Sequence, residues 1–287
     1  MQRVRHRMRA CLAPGLFIFA LLPVAAAPAW QRELTSAKPG PWPAIKPCVL
    51  DYQVSWKGML DSGRLRIEFE PEHVKKPGLL VVRSTAKSTG AAAALFPHQS
   101  HFWSEIDPAT LRPRFFHAVE TDRRETVTTT VRHLTGRVES RVITRPAGRG
   151  APEDRTQVFR FSPMYDIFSA MLHVRSQKLA PGDRVTLAIH PFDNPYLLRV
   201  TVAGREIHNG RKTIRLAVDM RKIDRETQEL RPYRKMKRAA TLWLSDDEQR
   251  VPVELRAAVF IGDVRAVLTS SARSRVAVAG EHPVMRM

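Results

Sequence analysis

The sequence lacks the short motifs that mark most nucleophilic and phosphate-transfer enzymes. It has no G-x-S-x-G and no glycine-rich phosphate loop. Its histidines are scattered. The one close pair, His98 and His101, follows Pro97 in a segment that resembles a strand, where this spacing points the two rings to opposite faces. The sequence therefore predicts no catalytic residue, no metal site and no cofactor.

Cysteine is almost absent as well. Cys11 lies in the N-terminal segment, so the remainder of the chain has Cys48 alone and cannot form an internal disulfide. Stability must then come from an apolar core. No histidine or aspartate pattern marks Cys48 as a nucleophile, and it is interpreted as an apolar residue at a strand edge, with a reactive thiol as the alternative.

Long apolar runs are missing except for one near the N-terminus. Four arginines precede the run CLAPGLFIFALLPVAAA, which ends in small residues, and this order is typical of a secretory signal peptide. Cleavage is expected after Ala29, because cleavage after Ala27 would leave a proline at the new N-terminus. An uncleaved anchor is the alternative, although the run is shorter than the ~20 residues of a membrane span. We therefore expect an exported, periplasmic protein with no membrane span once the signal is removed.

The charge of the chain is strongly positive. Residues 1–29 hold four arginines and no acids, so their removal lowers the formal net charge from +19 to +15. In the cytoplasm such a charge suggests nucleic acid, but export and the lack of aromatic residues among the cations argue against it. The partners expected instead are lipid head groups or anionic polymers of the cell envelope. A basic surface that serves only solubility is the alternative.

Prolines and turn signals divide the rest of the chain. Residues 30–47 hold four prolines and are predicted to form an extended linker rather than packed structure. Residues 48–275 are predicted to form one domain of about a dozen strands, because apolar and polar residues alternate in segments such as CVLDYQVSW. The connecting turns are short, among them Asn209-Gly210, so neighbouring strands are antiparallel. Residues 276–287 are assigned to a C-terminal tail.

One main helix interrupts the predicted strands. Ser162 as N-cap and Pro163 at the first helical position, followed by a broad apolar stripe, predict a helix over about 163–178. A second, short helix is expected at 91–96. A sheet of this size curls or closes to protect its edges, and the main helix is the natural object for it to wrap. The predicted fold class is α+β, mostly β: a strongly curved antiparallel sheet or incomplete barrel packed around one main helix.

The C-terminal part of the sequence also carries a family pattern. Its most specific element is Trp243-Leu244-Ser245-Asp246-Asp247, which resembles the C-terminal signature of the bacterial domain of unknown function 3108 family. Other matching residues are Arg250, Pro252-Val253, Gly262, Tyr52, Val54, Trp56, Gly58, Asp166, Ser169, Arg175 and Pro181-Gly182-Asp183. The resemblance covers roughly residues 48–272. It implies an exported protein and supplies no catalytic residues.

The candidate ligand-binding residues are Asp166, Arg175, Trp243, Asp246 and Asp247. Asp246 and Asp247 lie with Glu248 between two predicted strands, so a hairpin turn is the simplest interpretation, with cation binding and catalysis as alternatives. Asp166 and Arg175 lie on roughly opposite sides of the predicted helix. Each is expected to anchor the helix to a strand or loop, with contact to a ligand head group as the alternative.

Three functions remain open. The sequence favours a non-enzymatic binding or structural protein of the envelope, with an apolar groove for lipid-like or anionic ligands. The predicted architecture is similar to that of half-barrel carriers that move lipoproteins across the periplasm, although fold does not determine function. An envelope hydrolase that uses the Asp246/Asp247 pair with a histidine from another strand is the second function. An assembly scaffold that pairs through an edge strand is the third.

Overall fold

The structure is a computed structural model that describes residues 27–35, 37–42, 45–58, 60–70, 75–233, 236, 238–259 and 262–273. It contains a 3-10 helix at Ala29–Glu33 and the helices α1 (Gly90–Leu95) and α2 (Ile167–Ser176). Its strands are β1 (Cys48–Trp56), β2 (Leu60–Glu70), β3 (Leu80–Ser88), β4 (His98–Ile106), β5 (Pro113–Asp122), β6 (Glu125–Leu134), β7 (Arg137–Pro146), β8 (Glu153–Phe159), β9 (Arg184–Ile189), β10 (Tyr196–His208), β11 (Arg211–Ile223), β12 (Leu230–Pro232), β13 (Ala240–Ser245), β14 (Pro252–Val259) and β15 (Gly262–Arg273).

The strands form one open antiparallel sheet. Its order is β8-β7-β6-β5-β4-β3-β2-β1-β15-β14-β13-β11-β10-β9, with β12 paired only to β11. Most neighbours in the sheet are also neighbours in sequence, because a short turn places the next strand directly beside the previous one. Such turns can join only antiparallel strands. The turn between β10 and β11 consists of Asn209 and Gly210, which both have positive φ, as a two-residue hairpin requires.

The sheet wraps around its own core. One cluster of buried side chains contains Leu50 of the central strand β1, Phe159 of β8 and Ala188 of β9, which are the two ends of the strand order. Residues from both ends can share one cluster only if the sheet curls through most of a circle. Helix α2 contributes Phe168 and Leu172 to the same cluster. The predicted fold class, a strongly curved antiparallel sheet packed around one main helix, is confirmed.

The main helix begins later than predicted. Asp166, not Ser162, is its N-cap, and Ser162 and Pro163 precede it in non-helical structure. The reason is tertiary: the backbone of Tyr165 pairs with β9, donating from its N–H to Ala188 O and accepting from His190 N–H. A residue held in such a bridge is extended, so helical geometry starts only after it.

The proline-rich segment packs against the domain, and the prediction of an unpacked linker over 30–47 is wrong for its described residues. Trp30 and Ile45 are 1% and 2% exposed and belong to the core cluster. Thr35 N–H bonds to the carbonyl of Thr186 at the outer edge of β9. Burying each of these two apolar side chains contributes about 2 kcal/mol, which is enough to hold a segment without regular structure.

Two further predictions fall largely or wholly outside the described residues. These are the signal peptide, of which only residues 27–29 are described, and the C-terminal tail at 276–287. Among the helices in the described ranges, none has the length and apolar character needed to cross a membrane.

Asp166 gives a first testable prediction. Its carboxylate accepts from Ser169 N–H at 2.7 Å and from the hydroxyl of Ser104 on β4 at 2.5 Å, and burial raises its pKa. Asp166→Ala should lower the free energy of unfolding by about 2 kcal/mol, because it removes the cap and orphans a buried hydroxyl. Asp166→Asn keeps the bond from Ser169 N–H and its amide can donate to the Ser104 hydroxyl, so it should cost under about 1 kcal/mol in urea unfolding. Equal losses in the two variants would show that the charge, not the hydrogen bonding, is required.

Candidate functional site

The outer face of the sheet carries a polar cluster across strands β11, β13, β14 and β15. Directly paired residues on neighbouring strands share a face. Arg215 pairs with Trp243, and Trp243 pairs with Glu254, so these three side chains lie side by side. The alternate residues of β13, Leu242 and Leu244, point to the opposite face and pack in the apolar cluster beside α2. The cluster is therefore on the face turned away from the helix.

Glu254 is the centre of this cluster and is completely buried. Arg265 binds it with two hydrogen bonds, Nε to Oε1 at 2.6 Å and Nη2 to Oε2 at 3.0 Å. Arg256 donates to the same Oε1, while His208 Nε2 and Asn209 Nδ2 lie 2.8 and 2.9 Å from Oε2. Burial alone would raise the pKa of Glu254, but the bonds from the two arginines and the histidine lower it to about 2. Glu254 is thus an anion at neutral pH, and it positions two arginines.

Trp243 is held in one orientation by the same network. Its ring stacks on His208, with centroids 4.1 Å apart and planes at 9°, and the Arg256 guanidinium lies 5.0 Å from the ring centroid. Its indole Nε1 donates to Glu206 Oε1 at 2.7 Å. A tryptophan fixed in this way offers a rigid edge to a bound molecule, at little cost in side-chain entropy.

A groove of about 690 Å³ opens beside this cluster. Its lining residues are Lys57, Gly58, Arg215, Arg238, Ala239, Thr241, Trp243, Arg256, Ala257, Ala258, Asp263, Val264 and Arg265. Five of these are cationic and one is acidic. Counting Glu254 and Glu206 behind the lining, the groove keeps a net charge of about +2, and clefts lined by one sign of charge concentrate ions of the other sign.

The predicted acidic cluster is built as a turn between β13 and β14. Asp247 Oδ1 accepts from the backbone N–H groups of Gln249 and Arg250, each at 2.9 Å, which is a common use of aspartate in turns. Asp246 forms an ion pair with Arg205 at 3.1 Å, and Glu248 lies 3.6 Å from Lys46. Within the described ranges, none of the three acids bonds to an imidazole, and no group of three metal-binding side chains is present.

Two arginines lock this turn to the end of α2. Arg175 is fully buried and donates to the carbonyl of Gln249, from Nε at 3.0 Å and from Nη2 at 2.7 Å. Arg250 reaches in the opposite direction and donates to the carbonyls of Arg175, Gln177 and Lys178. Its guanidinium also lies 3.7 Å from the ring centroid of Trp42. The helix C-terminus, the turn and the N-terminal segment are therefore tied together at one point.

The structure separates the five predicted ligand-binding residues. Asp166 lies at the N-terminus of α2, where Ser104 and Ser169 satisfy it, and Arg175 lies near the other end against the acidic turn. Trp243 alone lines the groove. Sequence reasoning missed Glu254, Arg256 and Arg265. The one available signal was a glutamate inside the apolar pattern of VPVELRAAV, where a charge on a strand needs a partner.

Aromatic side chains pack between α2 and strands β4 and β5. Phe102 of β4 and Phe116 of β5 lie 6.4 Å from Phe168 of α2, measured between ring centroids, and each lies 6.0 Å from Phe192. Aromatic rings at this spacing are in packing contact. The interior next to the helix is therefore occupied by the protein's own side chains, and the groove lies on the other face.

The family model for proteins of unknown function designated DUF3108 matches residues 51–269. The chain belongs to this DUF3108 family. The resemblance inferred from Trp243-Leu244-Ser245-Asp246-Asp247 is thereby confirmed. In this DUF3108 protein, the matched region includes both the turn at residues 246–250 and the strands around Glu254.

A solved structure shows a similar fold. A β-barrel-like protein of the DUF1849 domain from Brucella abortus superposes with a TM-score of 0.52 at 11% identity, covering 80% of this chain and 99% of that one. A candidate exported protein with a YmcC-like fold from Bacteroides fragilis (TM-score 0.30, 9% identity) and a candidate lipoprotein from Parabacteroides distasonis (0.31, 7%) each match over 82% of this chain and 99% of their own. No curated protein matches the sequence. The Brucella likeness supports the β-barrel-like architecture of this DUF3108 protein.

Proposed function

We propose that this DUF3108 protein is an exported, non-enzymatic binding protein whose outer groove holds an anionic ligand of the cell envelope. The observation that carries the proposal is the buried Glu254, which holds Arg256 and Arg265 beside the fixed ring of Trp243. Export is supported by the arginine-rich, apolar N-terminal pattern. The expected ligands were lipid-like or anionic molecules. Because the interior beside α2 is packed and the groove is lined by cations, an anionic ligand is better supported than an apolar one.

The binding role is favoured over hydrolysis by the geometry of the acids. A carboxylate that acts as a general base must be free to take a proton and lie near the reacting group. Asp247 accepts backbone N–H groups of its own turn and Asp246 is paired with Arg205. Glu254 is surrounded by cationic donors that lower its pKa to about 2, which makes it a poor base.

An assembly role through edge strands has less support. The outer edge of β9 is already bonded to Thr35 and Tyr165. Strand β8, at the other end of the sheet, begins with three charged residues, Glu153, Asp154 and Arg155, a pattern that discourages pairing with another chain.

Titration calorimetry tests the groove with two polyanions, linear polyphosphate and polygalacturonate. The double variant Arg215→Ala/Arg238→Ala removes two exposed cations from the lining and should weaken binding about tenfold, because each cation near the ligand contributes roughly 0.7 kcal/mol. The two polymers distinguish a phosphate site from a carboxylate site.

The matched control is Arg132→Ala/Arg141→Ala, which removes two exposed arginines from strands β6 and β7. Both double variants have the same net charge. If the control weakens binding as much as the groove variant, only net charge is being measured and the groove is not the site. An unfolded variant is recognised by circular dichroism before titration.

A further inference from the structure

Helix α1 presents an apolar surface to solvent. No residue of Gly90–Leu95 is buried. Leu95 is 64% exposed, and Phe96, the next residue, is 73% exposed. Large apolar side chains at this exposure are normal when they are single, but two adjacent ones on an alanine-rich helix form a patch. Such a patch is typical of a surface that contacts a membrane or another protein.

Further exposed apolar residues lie at the same end of the sheet. Thr89, the N-cap of α1, donates from its N–H to Ser62 O on β2, which places the helix beside the start of that strand. Trp56 and Leu60 pair across the β1–β2 turn at this end and are 38% and 43% exposed. We call this surface, formed by Trp56, Leu60, Leu95 and Phe96, the apolar end.

Cations surround the apolar end. Arg123, in the β5–β6 turn, donates to the carbonyl of Ala94 and so lies directly against α1. Lys57, Lys87 and Arg124 are exposed at the same end of their strands. The acids at this end include Asp61, which pairs with Arg64 at 2.6 Å, and Asp122, which accepts from the backbone N–H groups of residues 124 and 125. Asp263, next to the β1–β2 turn, lies 3.4 Å from Arg238.

We infer that the apolar end docks on the surface of an anionic lipid bilayer, with Leu95 and Phe96 inserted at the level of the head groups. Protruding apolar side chains with cations around them fit the surface of an anionic bilayer. The apolar side chains can reach the acyl chains while the cations contact the head groups. A protein partner fits less well, since a stable interface buries about 800 Å² on each side and four partly exposed side chains offer far less.

The inference is independent of the groove, although the two surfaces are neighbours. Lys57 and Gly58 of the β1–β2 turn line the groove, while Trp56 belongs to the apolar end. A protein docked through this end would therefore hold the groove close to the head groups. The substitutions described next leave the groove lining intact, and groove binding is measured in solution without vesicles, so either surface can fail alone.

Co-sedimentation with vesicles tests the docking. The full chain should bind vesicles of phosphatidylcholine and phosphatidylglycerol, should bind pure phosphatidylcholine much less, and should be released by salt. Leu95→Ser/Phe96→Ser should weaken binding about tenfold or more. The matched control Val158→Ser/Ile207→Ser removes two apolar residues of similar exposure elsewhere, 47% and 68%, and should bind like the parent chain.

A second measurement removes any contribution of the N-terminal segment to binding. An environment-sensitive fluorophore on Phe96→Cys should shift to the blue when anionic vesicles are added, and the same label on Ile207→Cys should not. Labelling the parent chain measures any signal from its own two cysteines, Cys11 and the buried Cys48. No shift at position 96, or equal binding to neutral and anionic vesicles, would overturn the inference. A dimer in vesicle-free solution that Leu95→Ser/Phe96→Ser abolishes would assign the surface to a second copy of the chain instead.

Discussion

Arg250→Ala should lower the free energy of unfolding by about 3–5 kcal/mol, a larger effect than is expected for Glu254→Gln, because each buried carbonyl left without a donor costs about 1–3 kcal/mol. Arg250 is 1% exposed, and its guanidinium donates to three carbonyls at and just after the end of α2, where the last helical carbonyls have no internal donors. Alanine leaves those carbonyls buried and unpaired and removes the stacking on Trp42. Burial lowers the pKa of Arg250 only to about 10, so the charge is present at neutral pH.

Urea unfolding followed by circular dichroism measures this loss. Arg250→Lys should recover only part of it, because one ammonium cannot reach three carbonyls with the geometry of a guanidinium fork. Arg211→Ala, an exposed arginine in the neighbouring hairpin, serves as the control and should change stability by less than about 0.5 kcal/mol. A loss under about 1 kcal/mol for Arg250→Ala would show that the helix end does not depend on this side chain.

Glu254→Gln should have the second largest effect, about 3 kcal/mol. A carboxyl whose pKa falls from 4.5 to about 2 on folding stabilises the native state by this amount at neutral pH. Glutamine keeps the shape of the side chain and loses the charge, so Arg256 and Arg265 face each other without an anion between them. The groove should lose its organisation together with the stability.

The same residue predicts how stability depends on pH. Because the pKa of Glu254 is depressed in the folded protein, its contribution is complete above about pH 4.5 and is lost as the pH falls towards about 2. The difference in unfolding free energy between wild type and Glu254→Gln should therefore be constant from pH 7 to about 5 and shrink below that.

Thermal or urea unfolding at a series of pH values measures this difference, and the other carboxyl groups cancel because both proteins contain them. As a control, Glu229→Gln changes an exposed glutamate of a loop and should give a small, nearly pH-independent difference. A Glu254→Gln difference that does not diminish at low pH would mean that the carboxylate is not the stabilising group.

The strand pattern was predictable because it is local. In β1, alternating apolar residues place Leu50 and Tyr52 on the core face, and the short turns leave antiparallel pairing as the main solution. Strand β8 was not foreseen, since the first five residues of its sequence EDRTQVF are polar and the strand is held mainly by pairing with β7. The β-propensity of a sequence does not predict a strand that is stabilised mainly by pairing with a neighbouring strand.

The candidate site was predictable only in part. Trp243 was named from the family pattern, and it does line the groove. Asp246 and Asp247 were predicted as ligand-binding residues because consecutive acids can bind cations or act in catalysis. In the structure Asp247 stabilises a turn and Asp246 forms an ion pair. Glu254 was overlooked because its importance depends on Arg265 of β15 and His208 of β10, which join Arg256 of its own strand only in the folded protein.

By itself the sequence determined the alternation of the strands, the hairpin at Asn209-Gly210, the existence of a central helix and the strongly basic charge. Each of these depends on residues within a few positions of one another, or on composition alone. The tertiary structure alone decided where the helix starts, that the proline-rich segment packs, and which cations gather around Glu254. Those outcomes depend on contacts between residues far apart in the chain, such as Arg175 with Gln249 and Thr35 with Thr186, and distant contacts form only when the whole sheet has curled.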